Sequence, residues 1–277
     1  MSGQTTVLDF IKMHGLGNDF VVFDARTSPL DLTPAQARFV GSRRFGIGCD
    51  QILTIQPSDK ADAFMRIQNP DGSEAGACGN GTRCVASYLM RDLDKNDVVI
   101  ETVAGLLHCA LEAEQEELIS VDMGAPRLDW QAIPTAAEVD TLHAGLAVGP
   151  LKDPVLVNMG NPHAVFFVDD VDDIDLEALG PQVEHHAMFP ERTNVEIAQI
   201  RSRGDIRLRV WERGAGVTMA CGSGACATAV AAIRRGLTDR EVMIELDGGP
   251  LELDWAEGGS VVMRGPVATS FWGRVAL

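Results

Sequence analysis

The sequence predicts an α/β protein of the α+β type, with two pseudo-symmetric domains that each wrap a mainly antiparallel sheet around one central buried helix. Three observations support this prediction. The chain has 277 residues, which is at the upper end of what one hydrophobic core serves. Segments of the first half recur in the second half at a constant spacing. Strand-like and helical patterns also follow the same order in both halves.

The recurring segments lie 143 residues apart. Cys78-Gly79-Asn80-Gly81 has its counterpart in Cys221-Gly222-Ser223-Gly224, and Asn18 has its counterpart in Asn161. The same spacing relates further pairs, namely Gln51 with Asn194, Arg66 with Arg209, and Asn69 with Glu212. Because polar positions recur as well as glycines, we expect two equivalent halves rather than an accidental repetition of Gly-rich loops. Equivalent loops would then meet at a shared interface, where small-molecule sites are common.

Periodicity and turn residues predict the elements of the first half in order. Asp19–Asp24 is strand-like, and Thr33-Pro34 has the N-cap and first-turn residues of a helix that runs towards Arg43. Asn69–Gly72 is a turn by composition, and a second helix follows Cys78. The other predicted strands are Ala63–Gln68, Val98–Thr102, Leu106–Leu111 and Leu118–Met123.

The second half repeats this order. Its predicted helices are Leu176–His185 and Gly222–Arg235, and the second of these is apolar on nearly all sides over Ala225–Ile233. A helix of that kind is expected to be buried. The predicted strands are Val155–Val157, Ala164–Val168, Asn194–Ile200, Ile206–Trp211, Val242–Leu246, Leu251–Trp255 and Val261–Arg264.

Composition narrows the classes of partner. The net charge of -17 comes from 40 acidic against 23 basic residues, which disfavours nucleic acid and anionic membranes. No run approaches the ~20 apolar residues of a membrane-spanning helix. Met1–Lys12 lacks the basic and apolar regions of a secretory signal, so the expected location is the cytoplasm. The six cysteines are then expected to be reduced, and without a Cys-x-x-Cys pair a zinc site is the weaker interpretation.

Cys78 and Cys221 carry the chemistry that the sequence predicts. Each precedes a Gly-x-Gly turn that opens a helix, where free N–H groups attract anions and are expected to lower the pKa of a thiol from ~8.5. If both thiols face one cleft, a thiolate can remove an α-proton from one face of a carbon while the opposite thiol returns one to the other. Electrostatic stabilisation by the two helix starts would replace a cofactor. Pyridoxal phosphate is disfavoured because none of the four lysines lies in either Gly-rich loop.

Several other residues have a plain structural interpretation as well as a functional one. The remaining cysteines are interpreted as small buried residues, namely Cys49, Cys84, Cys109 and Cys226. His163 alone fits a core histidine with satisfied hydrogen bonds, and the adjacent Glu212 and Arg213 fit a solvated strand end. The repeat, which matches Glu212 to a turn asparagine, favours a polar pocket instead.

Six segments in order resemble the diaminopimelate epimerase family along nearly the whole chain. They are Lys12-Met13-His14-Gly15-Leu16-Gly17-Asn18-Asp19-Phe20, Asn69-Pro70-Asp71-Gly72-Ser73-Glu74, Cys78-Gly79-Asn80-Gly81-Thr82-Arg83-Cys84, Met159-Gly160-Asn161-Pro162-His163, Glu212-Arg213-Gly214-Ala215-Gly216 and Ala220-Cys221-Gly222-Ser223-Gly224-Ala225-Cys226. Any one of them is modestly specific, whereas all six together are strongly so.

The resemblance implies a pyridoxal-phosphate-independent isomerase, with no cofactor, that interconverts LL- and meso-2,6-diaminopimelate in lysine and peptidoglycan precursor biosynthesis. It implies Cys78 and Cys221 as the catalytic acid and base, with His163 and Glu212 modulating their pKa values. Arg213 would bind the distal carboxylate through a bidentate pair. The implied substrate-binding residues are Asn18, Gln51, Asn69, Gly79, Asn80, Asn161, Asn194, Glu212, Arg213, Gly222 and Ser223.

The resemblance also implies a domain organisation and a homodimer. The first domain would comprise residues 1–123 with a final strand at 267–277, and the second would comprise 124–266. Three positions depart from the family pattern: Pro70, Val217, and Phe271 where a dimer-contact tyrosine is usual. The first two only flank the motifs, whereas Phe271 leaves the dimer contacts undetermined.

Other functions remain open on the residues alone. A proline or hydroxyproline racemase shares the fold and the mechanism with two cysteines. Its small cyclic substrate, however, does not need the distal arginine and several asparagines. A thiol or zinc-binding protein without enzymatic activity, and a module that only binds a ligand, are more distant alternatives.

Overall fold

The computed structural model describes residues 6–112 and 117–277, and the chain splits into two compact units. Unit 1 comprises Met1–Val121 and Pro266–Leu277, and unit 2 comprises Asp122–Gly265. The predicted first domain, residues 1–123, includes residues 1–5 and 113–116, which lie outside the described residues.

Short strands and two helices alternate through the first part of the chain. They are β1 Val7–Gly15, β2 Asn18–Asp24, α1 Pro34–Gly41, β3 Gln51–Gln56, β4 Ala63–Gln68, β5 Glu74–Ala75, α2 Gly79–Leu93, β6 Asp97–Thr102, β7 Gly105–Leu111 and β8 Leu118–Asp122.

The second part of the chain repeats that alternation and ends on a strand that belongs to unit 1. Its elements are β9 Ala147–Val148, β10 Leu151–Lys152, β11 Val155–Asn158, β12 Pro162–Phe167, α3 Leu176–Glu184, β13 Asn194–Ser202, β14 Asp205–Glu212, β15 Gly216–Thr218, α4 Gly222–Arg234, β16 Glu241–Leu246, β17 Gly249–Trp255, β18 Val261–Pro266 and β19 Ala268–Ala276.

The repeat seen in the sequence is present in the register of the strands. In unit 1, β2 and β3 run parallel with Phe20 opposite Gln51, and in unit 2, β12 and β13 run parallel with His163 opposite Asn194. Both members of the second pair lie 143 residues after those of the first. Beyond the helices the spacing becomes 144, because β16 and β17 match β6 and β7 with one residue added. The strands β2 to β7 of unit 1 therefore match β12 to β17 of unit 2 one by one.

Each unit surrounds one helix with its own strands. In unit 1, α2 packs against β1, β2, β3, β6 and β7, and in unit 2, α4 packs against β11, β12, β13, β16 and β17. Most strand neighbours are antiparallel, and the parallel exceptions, such as β4 with β6 and β14 with β16, recur in both units. Every residue from Ala225 to Ala232 is buried, which confirms the prediction from its apolar character. These observations confirm the predicted fold class.

Helix α1 shows how local sequence sets an element. The side chain of Thr33 accepts from the backbone N–H of Gln36, whose own side chain accepts from the backbone N–H of Thr33. This reciprocal cap, with Pro34 at the first position, stabilises the helix start. The prediction that the helix reaches Arg43 is wrong by two residues. The chain becomes extended at Ser42, and the N–H groups of a following turn satisfy the last carbonyls.

The edge of unit 1 joins the two ends of the chain. β1 pairs antiparallel with β19 from Val7 opposite Ala276 to His14 opposite Ala268, with a bulge between Lys12 and Met13. β1 also pairs with β2, so β19 extends the sheet formed by β1 and β2.

None of the helices formed by the described residues has the length and apolar character that a membrane crossing needs.

Candidate active site

Cys78 and Cys221 occupy the same position at the starts of two equivalent helices. Each is the N-cap of its helix in an extended conformation, Cys78 of α2 and Cys221 of α4. The thiol of each accepts the backbone N–H three residues later, from Gly81 and Gly224 respectively, at 3.4 Å. An N-cap normally uses a side-chain oxygen for this contact. Here sulfur takes its place, which sets each thiol against the positive end of a helix.

The second glycine of each turn is closely packed against a side chain of the neighbouring strand. A Cβ at Gly81 would lie 3.0 Å from Cδ1 of Leu53, and one at Gly224 would lie 2.9 Å from Oε1 of Glu196. These distances leave little or no room for a side chain. A larger residue at either position would therefore have to displace the side chain of Leu53 or of Glu196.

Unit 1 groups its predicted site residues in two hydrogen-bonded sets, one around Asn18 and one around Asn69. Oδ1 of Asn18 accepts from Nδ2 of Asn80 at 3.2 Å and lies 3.9 Å from the sulfur of Cys78, which donates to it. Gln51 donates from Nε2 to Oδ1 of Asn69 at 3.0 Å. The buried amide of Asn80 thus ties the turn before β2 to the start of α2.

Each of these sets includes one residue that was not singled out from the sequence, Asp50 in the first and Ser73 in the second. Nδ2 of Asn18 donates to Asp50 at 2.9 Å, and Nδ2 of Asn69 donates to the hydroxyl of Ser73 at 3.0 Å. Both partners orient an amide that was itself predicted. Asp50 directly precedes the predicted Gln51, and this adjacency was the available signal.

Unit 2 also brings several predicted residues together through hydrogen bonds. His163, which is fully buried, places Nε2 2.8 Å from Oδ1 of Asn161. The buried Asn194 donates from Nδ2 to the carbonyl of Pro162 at 2.8 Å and accepts the backbone N–H of Arg213 at 2.9 Å. Asn194 therefore links β13 to the turn that carries Arg213.

The turn that carries Arg213 is held by a second buried group. Glu184 at the end of α3 accepts from the indole Nε1 of Trp211 at 2.7 Å and from the backbone N–H of Gly214 at 3.1 Å. The exposed side chain of Arg213 donates from Nη1 to the carbonyl of Glu191 at 3.0 Å. The backbone of this turn is thus fixed from two sides while the guanidinium stays accessible.

The environment of Cys221 corrects one expectation. The helix start was expected to lower the pKa of this thiol, but the structure raises it well above its ordinary value. Burial is the largest cause, and the negative charge of Glu212 is the next. The contacts from Ser223 and Gly224 lower the pKa by less than these effects raise it. Glu212 therefore raises the pKa of Cys221.

The carboxyl group of Glu212 has a defined orientation. Its Oε1 accepts from the hydroxyl of Thr218 in β15 at 2.6 Å. β14 and β15 form an antiparallel pair in which Glu212 is opposite Gly216. This hairpin carries Glu212 and Arg213 on adjacent positions, with Cys221 three residues beyond β15.

The other four cysteines are buried in unreactive settings. Burial raises the pKa of Cys49, Cys84 and Cys109 to about 12, and Cys226 lies on the buried helix α4. This confirms their interpretation as small core residues. No group of three or more His, Cys, Asp or Glu side chains within 6–112 and 117–277 is arranged to hold a metal ion.

Glu196 is the residue of this region that sequence reasoning missed. It lies fully buried in β13, and its Oε1 is 2.7 Å from Nδ1 of His163. The available signal was the repeat, because the spacing of 143 places this acid on Leu53 of the apolar strand β3.

The sequence profile described as Diaminopimelate epimerase matches residues 10–128 and 155–270. Among curated proteins, the chain is 58% identical over 269 residues to a diaminopimelate epimerase of Rhodospirillum centenum, covering 96% of this chain and 92% of that one. It is 55% identical over 266 residues to a diaminopimelate epimerase of Acidiphilium cryptum, covering 96% of this chain and 95% of that one.

Solved structures share the fold at low sequence identity. A hydroxyproline epimerase from Agrobacterium vitis, with bound trans-4-OH-L-proline, matches with a TM-score of 0.71 at 16% identity, covering 98% of this chain and 93% of that one. A phenazine biosynthesis protein of the PhzF family from Bacillus anthracis matches with a TM-score of 0.70 at 17% identity, covering 98% and 100%. These matches support the two-unit α+β fold and carry no information on substrate.

Proposed function

The chain belongs to the diaminopimelate epimerase family, and we propose that it interconverts LL- and meso-2,6-diaminopimelate by a proton transfer between Cys78, Cys221 and one α-carbon. It is an isomerase of a family that works without pyridoxal phosphate. The observation that carries the mechanism is the matched pair of cysteine N-caps, each accepting a helix-start N–H at 3.4 Å.

The proposed step balances without any redox partner. One thiolate takes the α-hydrogen as a proton and becomes a thiol, and the electron pair of the C–H bond passes to the α-carbon and its carboxylate. The opposite thiol gives its proton to the other face of that carbon and becomes a thiolate. Backbone N–H groups at the helix starts stabilise the negative charge that grows on the carboxylate.

Cys221 enters this reaction as the protonated partner in one direction. Burial and the charge of Glu212 raise its pKa, which favours the thiol over the thiolate. A proton held in this way is available to the carbanion, whose basicity far exceeds that of a thiolate. The reverse direction uses the same residues in exchanged roles, since an epimerase must act from both faces.

The substrate contacts remain a proposal carried by the family resemblance and by the clusters in each unit. Amide and backbone N–H groups would hold the reacting amino-acid end, and Arg213 would meet the distal carboxylate. The residues proposed are Asn18, Gln51, Asn69, Gly79, Asn80, Asn161, Asn194, Glu212, Arg213, Gly222 and Ser223. His163 is proposed to act on the cysteine pKa values, and its contacts with Asn161 and Glu196 support an indirect role.

Domain limits, assembly and location are part of the same proposal. The proposed domains are residues 1–123 with 267–277 and residues 124–266, and the division into two compact units near these limits supports them. A homodimer is supported by exposed Phe271 and Trp272 on β19, at 47% and 70% exposure, and is tested by analytical ultracentrifugation. A cytoplasmic location is tested by cell fractionation.

Exchange of the α-proton in heavy water tests the function directly. The purified protein is incubated with LL-diaminopimelate, meso-diaminopimelate, L-proline or trans-4-hydroxy-L-proline, and deuterium at the α-carbon is followed by mass spectrometry. Exchange and epimerisation are expected with both diaminopimelates and with neither proline. Exchange with a proline alone would replace the proposed substrate by that of the racemase alternative.

Metal analysis of the same preparation separates the enzyme from a thiol or zinc-binding protein. Full turnover after treatment with a chelator is expected, since the proposed acid and base are free thiols. Zinc bound in stoichiometric amount through Cys78 or Cys221 would contradict the proposed mechanism.

A further inference from the structure

Glu196 is a buried carboxyl group that the proposed proton transfer does not use. It is 0% exposed, as is its partner His163, and 2.7 Å separates Oε1 of Glu196 from Nδ1 of His163. The other ring nitrogen, Nε2, lies 2.8 Å from Oδ1 of the half-buried Asn161. These contacts form one chain from the core to a residue of the proposed substrate site.

The two distances restrict where the protons of this chain can lie. An amide oxygen only accepts, so Nε2 of His163 must donate to Asn161. Nδ1 then either donates to an ionised Glu196 or accepts from a protonated one. In both arrangements the His163–Glu196 pair has no net charge, as the burial of both side chains requires.

Two observations favour the protonated form of Glu196. Within the part of the chain that the structure describes, nothing hydrogen-bonds its second oxygen, Oε2, and a bare oxygen of a buried carboxylate is costly. Burial is also the largest influence on the pKa of Glu196 and raises it. His163 lowers this pKa and the charge of Glu212 raises it, and the net effect is a raised pKa. A neutral acid fits both observations.

The equivalent positions in unit 1 indicate that the fold does not need this polar pair. The spacing of 143 places His163 on Phe20 and Glu196 on Leu53, and both of these residues are fully buried and apolar. Leu53 lies against Gly81 as Glu196 lies against Gly224. An apolar pair therefore supports one helix start, and a hydrogen-bonded pair supports the other.

We propose that Glu196 is a positioning residue of the active site, which as a neutral acid donates to Nδ1 of His163, so that Nε2–H of His163 holds Oδ1 of Asn161. The Asn161 amide is thereby fixed with its NH2 group left as the donor for substrate. This inference rests on the proposed function for the role of Asn161. It also keeps a second negative charge away from Cys221, because a protonated Glu196 carries none.

Two substitutions at Glu196 test the chain of donors. In Glu196→Gln the amide NH2 can donate to Nδ1 as the acid does, so kcat and KM for diaminopimelate are expected within about twofold of the unmodified enzyme. Glu196→Leu installs the residue type of Leu53 and leaves Nδ1 without a donor. Its KM is expected to rise about tenfold with a smaller change in kcat, which matches the loss of one hydrogen bond that orients a charged substrate.

Nuclear magnetic resonance of the ring nitrogens of His163 tests the proton positions directly in the unmodified protein. In protein labelled with 15N-histidine, the His163 signals are assigned by their loss in His163→Gln. One protonated and one unprotonated nitrogen are expected in the unmodified protein, and the same pattern is expected in Glu196→Gln. Two protonated nitrogens in the unmodified protein would show an ionised Glu196 and overturn the proposal.

Glu184 offers a matched control in the same unit. It is also a buried glutamate, but it accepts from two N–H groups, those of Trp211 and Gly214. Its carboxyl group must therefore act as an acceptor on both oxygens, and Glu184→Gln places an NH2 group against one of these donors. Glu184→Gln is expected to lower the Tm clearly, whereas Glu196→Gln is expected to keep it within about 2 °C.

The outcomes separate this inference from the proposed function. If Glu196→Gln raises KM or lowers the Tm as much as Glu196→Leu does, the proposal that Glu196 is a neutral acid is wrong. If the unmodified protein does not epimerise diaminopimelate, the proposed function fails, and the His163 signals and the Tm of Glu196→Gln still decide the protonation of Glu196.

Discussion

The backbone N–H of Gly224 donates to the sulfur of Cys221 across 3.4 Å, which places this thiol at a helix start inside the core of unit 2. Cys221 is only 5% exposed, whereas its counterpart Cys78 is half-buried. The same hydrogen bond therefore occurs in two different settings. Burial beside Glu212 makes the thiol of Cys221 harder to ionise than that of a free cysteine. This difference can be measured.

Removal of either thiol is expected to abolish turnover without unfolding the protein. Cys78→Ala and Cys221→Ala each lose the group that accepts or returns the proton, so kcat should fall by about a thousandfold or more. The measurement is epimerisation of diaminopimelate beside thermal unfolding. Cys109→Ala, a buried cysteine of β7, is the control and should keep kcat within about twofold. Full activity in Cys221→Ala would exclude the mechanism with two bases.

The pH dependence of thiol alkylation should report the charge beside Cys221. A nearby anion disfavours the thiolate, so removing Glu212 lowers the pKa of Cys221 and makes alkylation start at lower pH. In a Cys78→Ala background, iodoacetamide labelling of Cys221 is followed by mass spectrometry from pH 6 to about 11. Glu212→Gln is expected to shift the profile to lower pH.

An exposed acid of the same unit provides the control for that experiment. Glu241→Gln on β16 removes one negative charge at the surface and should leave the profile of Cys221 in place. An equal shift in both variants would mean that net charge, and not the proximity of Glu212, sets the reactivity of Cys221.

Arg213 is expected to govern binding rather than the chemical step. Its backbone is held by Asn194, and its guanidinium is exposed, so Arg213→Ala should remove a contact with the distal carboxylate and leave the turn in place. KM should rise about tenfold to a hundredfold, with kcat changed much less. Arg203→Ala removes a surface arginine of the same unit that pairs with Asp239 and should change neither constant. A fall in kcat alone would contradict this role.

Asp19 should make unit 1 sensitive to acid. Burial raises the pKa of its carboxyl, but hydrogen bonds and charges from Arg43 and Lys12 outweigh this and bring it to about 2, from 3.8. A carboxyl with a lowered folded-state pKa stabilises the fold fully above pH 3.8, and this contribution is lost as the pH falls towards 2. Relative to Asp19→Asn, the extra stability is about 1–2 kcal/mol near neutral pH after solvent screening.

Urea unfolding of both proteins at pH 6, 4, 3 and 2 measures this difference. The gap between them should close between about pH 4 and pH 2. Asp9→Asn is the matched control, since Asp9 is 81% exposed and its pair with Arg274 is worth little. A gap that persists at pH 2 would show that Asp19 stabilises unit 1 through something other than its charge.

Much of the fold was predictable because its signals are local or repeated. The predicted strand Ala63–Gln68 has the observed bounds of β4, and the predicted start of α4 at Gly222 is the observed one. Turn residues and apolar runs determine these elements, and the spacing of 143 predicted that both units share one register. The strands β1 and β3 were not predicted from the sequence. β1 mixes apolar residues with the buried Lys12 and is stabilised by pairing with β19 from the far end of the chain.

The sequence by itself determined the repeat, the two cysteines at helix starts and the family, since each is a matter of residue identity and spacing. Only the tertiary structure decided how those residues ionise. Burial and the charge of Glu212 raise the pKa of Cys221 against the effect of the helix start, although the sequence motif alone predicts the opposite. The physical reason is that desolvation and charge act through space, and Cys221 is buried near the charge of Glu212 only in the folded chain.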